Sequence, residues 1–170
     1  MSGRQMMASR TYLEMRDPRQ LRPAKLPGEP VTIEKVDLTP AEWRDLYVRI
    51  GRAYHWVDRL PWSEQEIAAY LADPAVSVFV MRVAGKVAGY FELRQDPTDG
   101  VEIAYFGMLR EFHGRGLGGH LLTFAAERAW ELNPPRVWLH TSSMDHAAAL
   151  PNYLNRGFTI VKREGYIVSV

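Results

Sequence analysis

The chain has 170 residues, 46% hydrophobic and 24% charged, with a formal net charge of +1 and no cysteine. That length suits one domain with its own core and is short for two, and the composition argues against disorder. The near-neutral balance gives no electrostatic basis for nucleic acid or an anionic membrane as partner, and the lack of cysteine removes disulfides, thiolate metal sites and thiol nucleophiles together.

The N-terminal stretch MSGRQMMASR carries charge without the apolar segment of a secretory signal. No run reaches the roughly 18 apolar residues that span a bilayer. A cytoplasmic protein is therefore expected. Residues 1–30, with prolines at Pro18, Pro23, Pro27 and Pro30, read as an arm that is extended or partly mobile, and residues 31–170 as the domain.

Residues 31–36 (VTIEKV) alternate with period two and predict a first strand. Thr39 and Pro40 then supply an N-cap and a first helical position, and Trp43, Leu46, Tyr47, Ile50 and Tyr54 follow at helical spacing. Ser63 with Glu66 forms a capping box that opens a second helix. Residues 76–83 and 86–94 predict a hairpin about Ala84-Gly85, and residues 101–109 the next strand.

A glycine cluster leads into the helix LGGHLLTFAAERAWEL, which Asn133-Pro134-Pro135 ends. Residues 136–140 predict a buried strand, and residues 146–155 a short helix stopped by Gly157. Residues 158–161 and 166–170 read as two strands about a Lys-Arg-Glu-Gly turn. This order predicts a single α/β domain with a mixed, twisted sheet of six to seven strands and about four helices on its two faces.

The informative segment is Glu111-Phe112-His113-Gly114-Arg115-Gly116-Leu117-Gly118-Gly119. Four glycines within six positions let successive N–H groups point inward without Cβ obstruction. The following helix adds its unpaired first-turn donors and the positive end of its dipole. Together they suit phosphate or pyrophosphate. The spacing Gly114-x-Gly116-x-x-Gly119 also matches a dinucleotide fingerprint. However, the next strand ends at Leu139-His140-Thr141, without the acid that would hold a ribose. No Gly-Lys-Ser/Thr follows to make a nucleoside triphosphate loop.

These residues resemble the GNAT superfamily of acetyl-CoA-dependent N-acetyltransferases. Its pyrophosphate signature is Gln or Arg, two residues, Gly, one residue, then Gly or Ala; here His113 stands first, with Gly116 and Gly118 in register. A second patch, Ala149-x-x-x-Tyr153-x-x-x-Gly157-Phe158, resembles the family's late helix and strand start. The resemblance implies a diphosphate gripped by His113, Gly114, Arg115, Gly116, Leu117, Gly118 and Gly119. It also implies a pantetheine arm lying along Phe106, Gly107 and Met108, with a bulge at Gly107 and the Met108 N–H near the acetyl carbonyl.

By the same resemblance Tyr153 donates a proton to the departing sulfur, and Glu102 is the carboxylate available to deprotonate the amine. On a period-two strand Glu102 shares a face with Ala104, Phe106 and Met108; the other reading is a solvated strand-end glutamate. His140, near the expected splay, is either a base or a structural histidine. Asp145 with His146 reads either as a helix cap, the preferred reading for Asp145, or as a contact with substrate or pantetheine. Tyr54, Trp56, Asp58 and Trp62 either frame the amine or plug the gap between two helices. The expected cosubstrate is acetyl-CoA, the acceptor is a small-molecule primary amine, no metal is expected, and a homodimer fits the family. The competing readings are an inactive acyl-CoA-binding or partner-binding module of the same fold, and a nucleotide-dependent enzyme.

Overall fold

The computed structural model describes residues 3–170. Its strands are β1 (Gln5–Met15), β2 (Val31–Lys35), β3 (Val76–Val83), β4 (Lys86–Asp96), β5 (Gly100–Met108), β6 (Val137–Ser142) and β7 (Thr159–Ser169). The helices are α1 (Pro40–Gly51), α2 (Glu64–Ala72), α3 (Leu117–Trp130) and α4 (Ala149–Asn155). One sheet runs in the order β2-β3-β4-β5-β6-β1-β7. Only β5 and β6 are parallel neighbours; the other pairs are antiparallel.

Local chemistry sets the first two helices. Thr39 Oγ1 accepts from the Glu42 amide while Glu42 accepts from Thr39, and Ser63 and Glu66 repeat the exchange at α2. Helix α1 buries Trp43, Leu46, Tyr47 and Ile50. It lies with α2 on one sheet face, where Trp43 reaches Glu92 of β4. Helix α3 covers the opposite face, where Phe124 meets Phe79 and Phe91.

The expected N-terminal arm is replaced by an interior strand. Residues 5–15 form β1, paired with β7 from Gln5 to Glu14 and with β6 from Arg10 to Met15. Leu13 and Met15 are fully buried. A segment with partners on both edges and a buried face has no freedom to behave as an arm. Irregular chain begins only after Met15, and residues 1 and 2 of the expected arm lie outside the described residues.

The expected turn at residues 162–165 is likewise absent, because β7 is one continuous strand. β1 offers it an unbroken partner, and a register shift at Tyr12/Leu13 takes up the irregularity. The charges of that stretch lie on the sheet edge, where water reaches them.

Two features of β5 place the site. It pairs with β6 only at Val101 and Glu102, after which the strands part. The bulge lies at Ala104, not at the expected Gly107: Leu93 pairs with Ile103 and the adjacent Glu92 with Tyr105. This shifts the alternation, so Glu102 shares the α1/α2 face with Tyr105, while Phe106 and Met108 face α3. Gly107 has another use. A Cβ there would stand 2.7 Å from Ile50 and 2.9 Å from Trp56, so its absence lets the indole seat against the strand.

Candidate active site

The loop after β5 becomes α3 through two glycines with φ near +75°, Gly114 and Gly116, the latter capping the helix in the left-handed region. A Cβ on either would meet nothing within 4 Å, so the inner side of the turn is open. The amides of Leu117, Gly118 and Gly119 open α3, where the helix offers them no carbonyl four residues back. Gly114, Gly116, Leu117, Gly118 and Gly119 line one cavity of about 240 Å³ at this helix start. This cradle, kept free of side chains, fits a diphosphate.

Phe106, Gly107, Met108, His113, Gly114, Gly116, Leu117, Gly118 and Gly119 all line that cavity. Arg115 does not: its guanidinium turns outward to pair with Glu29. The Leu109 amide donates to Ala88 of β4, so strand alternation directs the Met108 amide and carbonyl away from β4, into the gap beside β6. His113 Nε2 lies 3.2 Å from the Met108 carbonyl. A carbonyl only accepts, so Nε2 carries the proton, and it also approaches the Tyr54 hydroxyl at 2.9 Å. His113 thus ties the glycine turn to the β5 end and to the loop after α1.

A second, smaller cavity of about 90 Å³ adjoins the first, and Tyr54, Trp56, Phe106, Asp145 and Tyr153 line both. Asp58 and His140, both candidates from the sequence, line the smaller one. The Tyr153 ring is buried between Phe106 and Phe158. Its hydroxyl has no partner among the described residues; burial, then the charge of Asp145, pushes its pKa well up. His140 shares a stack with Tyr12, and desolvation followed by the Arg10 charge lowers its pKa. It is neutral at pH 7.

Two expected residues lie elsewhere. Glu102 borders neither cavity; it sits where β5 and β6 are still paired, with Arg94 opposite, and burial raises its pKa. Trp62 stacks on Trp43 and covers Arg59. Arg59 donates to Glu92 at 2.7 Å, and Tyr70, Tyr90 and Trp43 supply Glu92 with three more donors. A buried ion pair inside aromatic walls therefore takes Trp62 away from the cavities, while Tyr54, Trp56 and Asp58 line them.

Sequence reading missed Arg10 and Tyr166, and of its two readings for Asp145 the structure places the side chain at the cavities. Asp145 caps no helix. Its Oδ2 accepts from Thr141 and from the Ser142 amide, and its Oδ1 lies 3.5 Å from Trp56 Nε1. Arg10 and Tyr166 arrive through β1 and β7; the alternation Thr11, Leu13, Met15 was the one signal in the sequence that could have exposed β1. No group of three or more His, Cys, Asp or Glu able to hold a metal exists among the described residues. No helix is long and apolar enough to cross a membrane.

Residues 37–158 match the family model described as the Acetyltransferase (GNAT) family. An uncharacterised N-acetyltransferase from the pepI 3′ region of Lactobacillus delbrueckii subsp. lactis is 30% identical over 105 residues, 57% of this chain and 60% of that protein. The GCN5-related N-acetyltransferase from Kribbella flavida has a similar fold, with TM-score 0.67 at 22% identity, covering 98% of this chain and 60% of that one. An aminoglycoside acetyltransferase from an uncultured soil metagenomic sample, solved with sisomicin, aligns with TM-score 0.62 at 14% identity, over 74% of this chain and 87% of its own. The chain thus spans about three-fifths of the length of the first two of these relatives.

Proposed function

The chain belongs to the GNAT acetyltransferase family, and from that premise we propose that it moves the acetyl group of acetyl-CoA to a primary amine of a small molecule by direct attack. The observation that carries this reading is the glycine turn into the first turn of α3, where Gly114, Gly116, Leu117, Gly118 and Gly119 line a cavity that continues past Tyr153 into a second, polar one.

In this reading the amides of residues 114–119 hold the diphosphate. The gap-side backbone of Phe106 and Met108 pairs with the pantetheine arm, and the Met108 N–H donates to the thioester oxygen. Acetyl-CoA supplies the activated acyl group. The amine nitrogen forms the new C–N bond as the C–S bond breaks. The sulfur leaves with the electron pair as a thiolate, which takes a proton from solvent, and the nitrogen gives one up. His140, neutral at pH 7, accepts that proton directly or through water. Tyr153 donates a hydrogen bond to the sulfur. Its raised pKa makes full transfer to a free thiolate uphill, so the phenol acts by stabilising developing charge.

A melting panel with CoA, acetyl-CoA, NAD and NADP, paired with a free-thiol assay over an amine panel, tests this. Selective stabilisation by the two coenzyme A species, together with amine-dependent thiol release, is expected. Stabilisation without thiol release would make the chain an acyl-CoA-binding module. A Cβ at Gly118 meets only Met108 and Asn152, at 3.6 Å and 3.7 Å, which the fold tolerates. Gly118→Val should therefore melt near wild type while losing its response to CoA.

A further inference from the structure

We propose that the acceptor is an α-amino acid, its ammonium held by Asp145 and Asp58 and its carboxylate by Arg10. This rests on the acetyltransferase reading above and names the substrate class of the smaller cavity.

That cavity presents one fixed cation and two carboxylates around His140: Arg10, Asp58 and Asp145. Arg10 is underused. Its ion-pair partner among the described residues is Glu164, reached by one guanidinium nitrogen at a long 3.4 Å, with the Tyr12 hydroxyl beside it. Glu164 is meanwhile shared with the Tyr12 hydroxyl at 2.7 Å and with Lys162 at 3.4 Å. The guanidinium lies over the Tyr166 ring, 4.6 Å from its centroid, and Ser142 holds the Tyr166 hydroxyl at 2.5 Å. Stacking fixes the arginine without consuming N–H donors, which leaves a fork suited to a carboxylate.

The two acids complete the pattern. Asp145 has spent Oδ2 on Thr141 and Ser142, but Oδ1 meets only the distant Trp56 indole, and the residue borders both cavities beside Tyr153. Asp58 makes no ion pair among the described residues. An ammonium at Asp145 stands next to the hydroxyl that faces the sulfur, where an attacking nitrogen belongs. A simple monoamine would leave Arg10 with only its long contact to Glu164, and a polyamine would set a second cation against it. A molecule carrying one ammonium and one carboxylate satisfies all three groups, and a cavity of about 90 Å³ favours one of single-residue size. Arg10 and Tyr166 lie outside residues 37–158, so this end of the cavity is not built by the span that the family model matches.

The test compares kcat/KM by thiol release for matched acceptors: leucine, phenylalanine and alanine, their decarboxylated amines, and their α-amides. The free acids should exceed the other two sets by about 10²-fold, since a site built to pair a polar group rejects an analogue lacking it. The amides are the sharper control. Their amines deprotonate more readily, so intrinsic reactivity alone would rank them above the acids. Arg10→Met should collapse the acid-over-amide ratio towards about one, with Arg10→Lys between, while CoA-dependent stabilisation confirms that each variant is folded. Should Arg10→Met not fold, the wild-type comparison with amides decides alone. Amides, decarboxylated amines, polyamines or aminoglycosides used as well as the acids would overturn the inference and leave the acetyltransferase reading standing. No thiol release from any amine, with no stabilisation by CoA, would overturn both.

Discussion

Arg59 with Glu92, and Arg10 with Glu164, are arginine–carboxylate pairs assembled from nearly the same parts in opposite surroundings. The first is sealed: the two side chains are 5% and 0% exposed, and Trp43, Trp62, Tyr70 and Tyr105 wall the guanidinium. Every donor that Glu92 needs is in place. The second pair is 29% and 34% exposed, has one long contact, and stands on the half of the sheet that neither α1 nor α2 covers. Aromatic rings around a cation do not by themselves mark a ligand site. What marks it is whether the cation has already been satisfied by the protein.

The harshest test of this contrast is Glu92→Gln. It leaves Arg59 charged in a dry cage, and removing one partner of a buried pair costs about 3–5 kcal/mol, or roughly 10 °C of melting temperature for a chain of this size. The double variant Arg59→Met/Glu92→Met should recover only part of that loss, because Trp43, Tyr70 and Tyr90 then lose their acceptor. A Glu92→Gln protein melting within about 2 °C of wild type would break the comparison.

The tyrosines sharpen it. Tyr90 is buried with a partner and Tyr153 is buried without one. Tyr153→Phe should reduce kcat about 10²-fold with little change in denaturant midpoint. Tyr90→Phe should do the reverse, losing about 1.5–3 kcal/mol of stability because its bond is to a charged group. Equal turnover in Tyr153→Phe would remove that hydroxyl from the chemistry.

A smaller effect concerns His140. Its pKa is lowered, so the neutral imidazole persists below pH 6.5 and protonation removes the base only as the pH falls further. kcat/KM should thus decline on the acid side below 6.5. His140→Gln should lose roughly 10-fold at pH 8 and lack that inflection. An unchanged inflection would assign it to another group. Least affected should be Glu164→Gln, whose exposed pair is screened by water, so its midpoint in chemical denaturation should stay near wild type.

What could be read from the sequence was local. Capping boxes at Thr39 and Ser63, the Ala84-Gly85 hairpin and the glycine turn each sit within a few residues of what they determine, and all appear where expected. The errors were long-range. A bulge at Ala104 moved Glu102 to the other face, and no residue near Ala104 announces it. Arg59 sits among aromatic neighbours, so the sequence cannot tell whether the rings await a ligand or already hold their own cation; Glu92 decides that from another strand. Arg10 reaches the site only because β1 inserts between β6 and β7, a pairing between the two ends of the chain.

That insertion also fixes an order of events during synthesis. β1 leaves the ribosome first, yet its nearest partners begin at Val137 on one side and Thr159 on the other. Until both are made, an eleven-residue strand with two open edges must wait unpaired. The nascent protein is therefore most exposed to wrong strand partners between the synthesis of β1 and that of β6 and β7, and a holdase acting on β1 in that interval would matter more for yield than one acting later.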